Sequence, residues 1–523
     1  MTTRFTSIEN ELQSLVKGDV WFDDETRETY STAMCMYKIM PVGVVAPKDT
    51  DDVQNVVRFC KENHIAVIPR GGGTGLAGQA VGLGIVLDFA KHMNHVVKIS
   101  DEGDSVTVQA GCILSDVNTL LQPLGKYYPI DPQSAKLCTV GGTIATNAAG
   151  AHGLRFGATK DQVARLSLVL SNGDQAEIFP QESFNILSDE GKNIFSNTKN
   201  ILQSHRSLIE QKKPRVAKTS SGYNVYESLR DGNLDAVRLL CGSEGTLAVV
   251  TEAELRLHPL PATHAAAIAY FPTYEATAEA TQIAREFSPA AIELLDKSYT
   301  DVGKGMSETI DRFVDGEFQT MLLIEFEGEL KEELLFSAEA LHSVLQQHGL
   351  LSRWILLAAE QERSEAWRLR EEVSVKLNTL LSEFYKISAI EDGIVPLENL
   401  PAYMKGLKRI LDSHSIPFSL YGHAGSGNVH CSIFVKLETE EGRTKLETAT
   451  REVFDLITQL DGSLSGEHGD GFVRTPFLKR TFGGEMYSLF EGIKRCFDPH
   501  NIFNPQKIIG TQDGLFLHDI KYS

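Results

Sequence analysis

The sequence predicts an α+β protein of two unlike halves, and three observations carry that expectation. Apolar runs of strand length alternate with helix-period segments along the whole chain. A glycine-rich loop, Pro69-Arg-Gly-Gly-Gly-Thr-Gly-Leu-Ala-Gly-Gln79, stands in the N-terminal half. Two segments rich in histidine and glycine, Tyr421-Gly-His-Ala-Gly-Ser-Gly-Asn-Val-His430 and Ser465-Gly-Glu-His-Gly-Asp-Gly471, stand in the C-terminal half.

Taken in order, Val42–Ala46 reads as a strand, with Thr50 or Asp51 capping a helix whose Val53, Val56, Val57 and Cys60 share one face. Strand-like runs follow at 65–69, 84–88 and 105–109, then a helix near Leu114–Leu124 that ends at Gly125. The stretch 141–157 is so dense in small residues that it reads as ordered loop. A strand at 166–170 precedes the turn Ser171-Asn-Gly-Asp174, and 182–235 is polar and reads as a mostly helical insertion. Strand-like runs at 245–251 and 254–258 close the half at Pro259-Leu-Pro261. From Ala265 the pattern becomes strand, helix at 274–286, strand at 320–326 and helix at 331–347. The expected units are an N-terminal helical segment 1–37, a first domain 38–262, a second domain 263–510 and a tail 511–523.

The 523 residues suffice for two or three domains with substantial cores. A formal net charge of -20 argues against a nucleic-acid partner. No apolar run reaches the roughly 18 residues of a transmembrane helix, and the N-terminus lacks the layout of a secretion signal. The seven cysteines are scattered with no Cys-x-x-Cys, which predicts reduced thiols in the cytoplasm and no encoded iron–sulfur site.

Gly73-Thr-Gly-Leu-Ala-Gly78 satisfies the dinucleotide pattern G-x-G-x-x-G, but a second strand, not a helix, follows it. No Gly-Lys-Ser/Thr is present, which excludes a P-loop. The remaining readings are a backbone nest for an anion and a tight turn in a sheet. Thr139-Val-Gly-Gly-Thr-Ile-Ala-Thr-Asn147-Ala-Ala-Gly150 is a second small-residue segment, and two such segments suit a long ligand with a central diphosphate.

Arg70–Gly75, Gly141–Asn147, Leu154–Gly157 with Asp161–Val163, and Gly242–Thr246 resemble the flavin-binding half of the vanillyl-alcohol-oxidase type, over about residues 38–260. That resemblance implies a PCMH-type FAD-binding domain of two α/β subdomains beside an α+β substrate or cap domain with an antiparallel sheet. The FAD-holding residues it implies are Arg70, Gly71, Gly72, Gly73, Thr74, Gly75, Gly78, Gln79, Thr139, Gly141, Gly142, Thr143, Ala145, Thr146, Asn147, Gly150, Gly245 and Val250. No histidine lies between Gly71 and Gly75, so non-covalent FAD is expected, with His152 structural.

In the C-terminal half, the six residues between His423 and His430 read as strand–turn–strand, and Glu467 and His468 sit in a second glycine-bounded turn. Two imidazoles and a carboxylate suit zinc, with manganese or iron as alternatives, and leave one imidazole for proton transfer. These segments and Phe497–Lys507 resemble FAD-linked D-2-hydroxy-acid dehydrogenases: the glycolate, D-lactate and D-2-hydroxyglutarate group. The resemblance implies His423, His430 and Glu467 as metal ligands, His468 as base, and Asn504 and Lys507 at the flavin edge. Arg370 is favoured over Arg368 for the substrate carboxylate, since a spacing of two places them on different helix faces.

The chain departs from the 2-hydroxyglutarate relatives at Ile390-Glu-Asp392, where they have Lys-Tyr-Asp, and at Ser432, where they have Asn. Ile390–Pro396 and Arg474–Leu478 resemble larger dehydrogenases fused to an iron–sulfur module. The expected function is FAD-dependent, metal-assisted oxidation of a small D-2-hydroxy acid. Electrons would pass to an iron–sulfur subunit, an electron-transfer flavoprotein or a quinone. A flavin electron-relay subunit and another oxidase of the same fold are the competing readings. Cytoplasmic placement, or peripheral attachment to the inner membrane face, and a homodimer complete the expectations.

Overall fold

A computed structural model describes residues 2–180, 183–186, 188–380, 384–510 and 515–521. Residue 1 of the expected N-terminal segment, residues 182 and 187 of the expected insertion, 381–383 of the expected second domain, and 511–514 and 522–523 of the expected tail lie outside the described residues.

Three larger sheets, beside two of only two strands, organise the described residues. The first has the order Asp19–Trp21, Gly43–Ala46, Ile85–Asp88, Val67–Arg70, parallel except at its first strand. The helix Thr50–Asn63 packs on it through Val53, Val56, Val57 and Cys60, all fully buried. Its cap is Asp49, one residue earlier than the sequence indicates: the Asp49 carboxylate accepts from the Asp52 amide at 3.0 Å.

The second sheet is antiparallel, in the order Ser183–Ile186, Gln175–Phe179, Val163–Val169, Val249–Arg256, Ser105–Gln109, Val96–Ile99. Val249–Arg256 is one strand where the sequence suggested two runs; an irregularity between Val250 and Glu252 absorbs the break. The edge strand Val96–Ile99 escaped the reading because Val97 and Lys98 are both exposed and no alternation marks it.

The stretch read as loop contains a helix, Val140–Thr146, capped by Thr139 Oγ1 on the Gly142 amide at 3.2 Å. Its small residues are what allow the helix to form where it does. A Cβ on Gly141 would stand 2.8 Å from Ala110 Cβ and 2.9 Å from Ala110 O, so only glycine admits this approach. Within 182–235, helix covers Asp189–Ser204 and Arg206–Lys212, and residues 213–228 run on toward the C-terminal half.

The third sheet is antiparallel and carries the second half: Arg353–Leu357, Thr263–Phe271, Thr320–Gly328, Ala291–Asp296, Phe418–His423, Asn428–Val435, Tyr385–Ile387, with Gly393–Ile394 also paired to Asn428–Val435. Helices Tyr274–Glu286 and Lys331–Gln347 fall at the residues their periodicity indicates. The central pairing sets the site, because Glu293 lies opposite His423 and Tyr421 opposite His430.

Candidate active site

One cavity of about 450 Å³ is lined by both halves of the chain. Its N-terminal wall is the loop Arg70–Gly75 with Gln79, then Thr139, Gly141–Thr143, Ala145, Thr146, Gly150, Gly245 and Val250. Its C-terminal wall includes Arg370, Tyr421, His423, His430, Glu467 and His468. Arg368 turns instead to Glu365 and Glu372 on the outer helix face.

The loop fits a diphosphate. The amides of Gly71, Gly72, Thr74 and Gly75 make no hydrogen bond within the described residues, and all four residues line the cavity. A Cβ on Gly72 would lie 2.0 Å from the Leu137 carbonyl oxygen, which ties this loop tightly to the segment before the second one. The Arg70 guanidinium packs against Gly73 of this loop. It donates to the carbonyls of Tyr30, Thr32 and Ala80, stapling the N-terminal segment down.

Four residues expected at the cofactor stand behind the cavity wall. Gly78, at φ +95°, packs against Tyr37 and Phe472. Asn147 ends its helix in the left-handed region, and its side chain accepts from the Lys160 amide. Asn504 Nδ2 donates to the carbonyls of Gln79 and Glu244 at 3.0 and 2.7 Å. Lys507 Nζ donates to Val81 O at 2.8 Å, and burial pushes its amine down to about 7.

The C-terminal cluster has the geometry of a cation site. His423 Nε2 and His430 Nε2 lie 2.9 and 3.3 Å from the same oxygen, Glu467 Oε1. Each ring is held from behind through Nδ1, His423 by Glu293 Oε1 at 2.7 Å and His430 by the Glu391 carbonyl at 3.0 Å. The His430 contact assigns its proton to Nδ1, because a carbonyl only accepts. Burial lowers the pKa of His430, whereas at His423 Glu293 and Glu467 outweigh burial and raise it. Imidazoles held at Nδ1 with Nε2 turned toward a carboxylate have the usual metal-ligand form, and the ligand atoms of His430, Glu467, His468 and Asp392 lie close enough together that they could hold an ion.

Asp392 shares this region but serves the turn. Its Oδ2 accepts from Ser465 Oγ and from the amides of Glu467 and His468, at 2.5, 3.0 and 2.8 Å. That bonding turns Glu467 and His468 toward one cavity, which a strand would forbid. His468 Nδ1 lies 3.0 Å from Glu391 Oε1, and Arg474 holds the other Glu391 oxygen at 2.7 Å. Burial disfavours charge on His468, but Asp392 and Glu391 outweigh it and hold the imidazole at about 9.

Several site residues escaped the sequence reading. Lys218, from the stretch read as an insertion, places Nζ 2.7 Å from Glu467 Oε2. Glu244 ties the Gly242–Thr246 segment to the histidine turn by accepting from the Gly471 amide at 3.0 Å. Lys386 enters the cavity with Nζ on the Ser374 carbonyl at 2.9 Å. Glu293 is fully buried and joins His423 to Arg370, whose Nε donates to Glu293 Oε2 at 2.7 Å. Its signal was legible: a single carboxylate inside the apolar run Ala290–Leu295. His152 is held by Asp131 through Nδ1 at 2.6 Å and by Glu325 and Glu327 through Nε2 at 3.2 Å, and stacks on Trp367.

Comparisons with known proteins agree with this architecture. The profile of FAD linked oxidases, C-terminal domain, matches residues 260–508, and that of an FAD binding domain matches residues 41–178. The glycolate oxidase subunit GlcD of Bacillus subtilis is 31% identical over 507 residues, covering 94% of this chain and 95% of that protein. The D-lactate dehydrogenase of Anaerostipes hadrus is 29% identical, covering 93% of each. The D-2-hydroxyglutarate dehydrogenase of Escherichia coli is 28% identical over 94% of this chain, which spans about half (50%) of that longer protein. Among solved structures, p-cresol methylhydroxylase superposes with TM-score 0.71 at 14% identity, covering 97% of each chain. Alkyldihydroxyacetonephosphate synthase superposes with TM-score 0.67 at 17% identity, covering 96% of this chain and 85% of that one, and at these identities both show the fold alone.

Fold and matched domains define an FAD-linked oxidoreductase. The chain belongs to the family of FAD-linked 2-hydroxy-acid dehydrogenases that includes the glycolate oxidase subunit, D-lactate and D-2-hydroxyglutarate enzymes. No described helix is long and apolar enough to cross a membrane.

Proposed function

We propose that the chain oxidises a D-2-hydroxy acid to the 2-oxo acid, with a divalent cation assisting and electrons leaving to an acceptor other than NAD. The observation that carries this reading is the single cavity in which the flavin-loop residues and the histidine–glutamate cluster face each other. Its corollary is that non-covalent FAD lies along Arg70–Gly75 and Val140–Thr146, supplying the hydride acceptor. His423, His430 and Glu467 would hold zinc, manganese or iron, whose chemistry is to lower the pKa of the substrate hydroxyl.

The chain's own residues do the rest. Arg370 sits at the cavity wall with its guanidinium 4.7 Å from the Tyr421 ring centre, ready to bind the substrate carboxylate in bidentate form. His468 takes the hydroxyl proton at Nε2, since Nδ1 is engaged by Glu391. With a divalent cation held at Glu467, protonation of His468 would be disfavoured, leaving the neutral ring that a base needs. Fixing carboxylate and hydroxyl together orients the Cα–H bond toward the flavin side of the cavity.

Lys386 supports an acid with a second anionic group. Its ammonium rests one helical turn beyond Arg370, against Ser374, in the same cavity. Lys386 offers a second cation lining the cavity beside Arg370. An iron–sulfur partner, an electron-transfer flavoprotein and a quinone are the acceptor classes to test, since no cysteine joins a metal-holding group among the described residues. The deciding experiment is an anaerobic screen of flavin bleaching against D- and L-2-hydroxy acids, mono- and dicarboxylic, with and without chelator. Bleaching by D-dicarboxylates that chelation abolishes and Zn²⁺ or Mn²⁺ restores is expected. Bleaching by none of them, or indifference to chelation, would sink the reading.

A further inference from the structure

We propose that Glu293 is a positioning residue serving both ends of the substrate site at once. One carboxylate oxygen sets the metal-ligand candidate His423, and the other sets the carboxylate-binding candidate Arg370. The inference rests on the reading of the site given above.

The geometry is specific. Glu293 Oε1 is 2.7 Å from His423 Nδ1, and Glu293 Oε2 is 2.7 Å from Arg370 Nε. Strand register puts Glu293 directly opposite His423, while Arg370 descends from the helix Glu360–Leu380. Glu293 engages Nε and leaves the terminal guanidinium nitrogens for a substrate carboxylate, with Tyr421 flooring the plane. Tyr421 lies two residues before His423 and therefore on the same sheet face.

A fully buried carboxylate within an apolar strand is costly unless both oxygens are satisfied. Hydrophobic pairing would stabilise that strand at least as well, so the charge here marks alignment rather than strength. Glu293 thereby fixes the separation between His423, which would hold a cation, and the Arg370 guanidinium, which would meet the carboxylate. A change at either end is transmitted through one side chain.

The test measures Zn²⁺ and Mn²⁺ affinity of the metal-stripped full chain with a chromophoric competitor, in wild type, Glu293→Gln and Arg370→Lys. Glutamine offers one acceptor and one donor group, so it can satisfy only one of two donating partners. Glu293→Gln should weaken metal binding by about 10- to 100-fold, the range for orienting partners of metal ligands. It should also raise KM for D-2-hydroxyglutarate at saturating metal, with kcat much less affected. Arg370→Lys is the second arm, useful if Glu293→Gln does not fold. Arg370 is not a ligand, yet loosening Glu293 should weaken metal binding several-fold. Unchanged metal affinity in Arg370→Lys, or in folded Glu293→Gln, overturns the link. Wild-type protein that binds neither ion overturns the reading of the site itself, a distinct outcome.

Discussion

His468 Nδ1 stands 3.0 Å from Glu391 Oε1, so the nitrogen that faces the cavity is Nε2. The relationship makes a carboxylate–imidazole pair, with Arg474 fixing the far oxygen of Glu391 at 2.7 Å. His468→Asn should therefore lower kcat by about 10²- to 10⁴-fold, the usual contribution of a positioned base, with FAD content unchanged. Glu391→Gln should lower kcat less and leave metal content intact. Stopped-flow flavin reduction checks both, and a wild-type reduction rate in His468→Asn would remove the base assignment.

Arg370→Met tests the carboxylate contact. Losing a buried charge-assisted pair costs about 2–5 kcal/mol, so kcat/KM should fall by at least about 30-fold. Lys386→Met should raise KM for dicarboxylic acids and spare monocarboxylic ones. Equal effects on both acid classes would deny Lys386 a role in choosing the substrate.

Lys218 occupies the flank of Glu467 at 2.7 Å, with both side chains almost wholly buried. Lys218→Met should lower the Tm of metal-stripped protein, because Glu467 Oε2 loses its partner. Added Zn²⁺ should then raise Tm by more than in wild type, since ligand binding stabilises the folded state by mass action. Differential scanning fluorimetry with and without metal reads both; an equal metal-induced shift in the two proteins would disprove it.

Gly72 touches the Leu137 carbonyl, leaving no room for a methyl group. Gly72→Ala forces one backbone segment away from the other at a cost of about 1–3 kcal/mol. FAD occupancy, read from the ratio of absorbance at the flavin band to that of protein, should drop several-fold after dialysis. Full retention of flavin would place the cofactor elsewhere.

Stability should depend on pH through His152. Burial works against its charge, but Asp131, Glu325 and Glu327 outweigh it and hold the imidazole well above its ordinary range. A raised folded pKa means that the stabilisation is complete below the unfolded value, near 6.5, and is lost as pH rises through the folded value. The Tm difference between wild type and Asp131→Asn should accordingly be largest near pH 6 and shrink on the alkaline side. A difference that does not change with pH would show that the ion pairs contribute nothing.

Much was legible in the sequence. Helices Tyr274–Glu286 and Lys331–Gln347 follow from periodicity, and the strands that carry His423 and His430 follow from the glycines between them. The helix Val140–Thr146 was not legible, because its small residues lack any apolar stripe; its placement depends on contact with Ala110.

By itself, the sequence determined which chemistry is present: a glycine loop able to offer open amides, two histidines on one hairpin, and a Glu-His turn. Only the tertiary structure decided which groups meet. Lys218 reaches Glu467 across 249 positions of chain, Glu293 reaches His423 across 130 and Arg370 across 77, and Asp392 bends the Glu467–His468 turn from 76 positions away. No local pattern encodes such pairs. A buried charge has to be neutralised by whichever partner the packed sheet brings within about 3 Å, and that partner is chosen by strand register, not by neighbours in sequence.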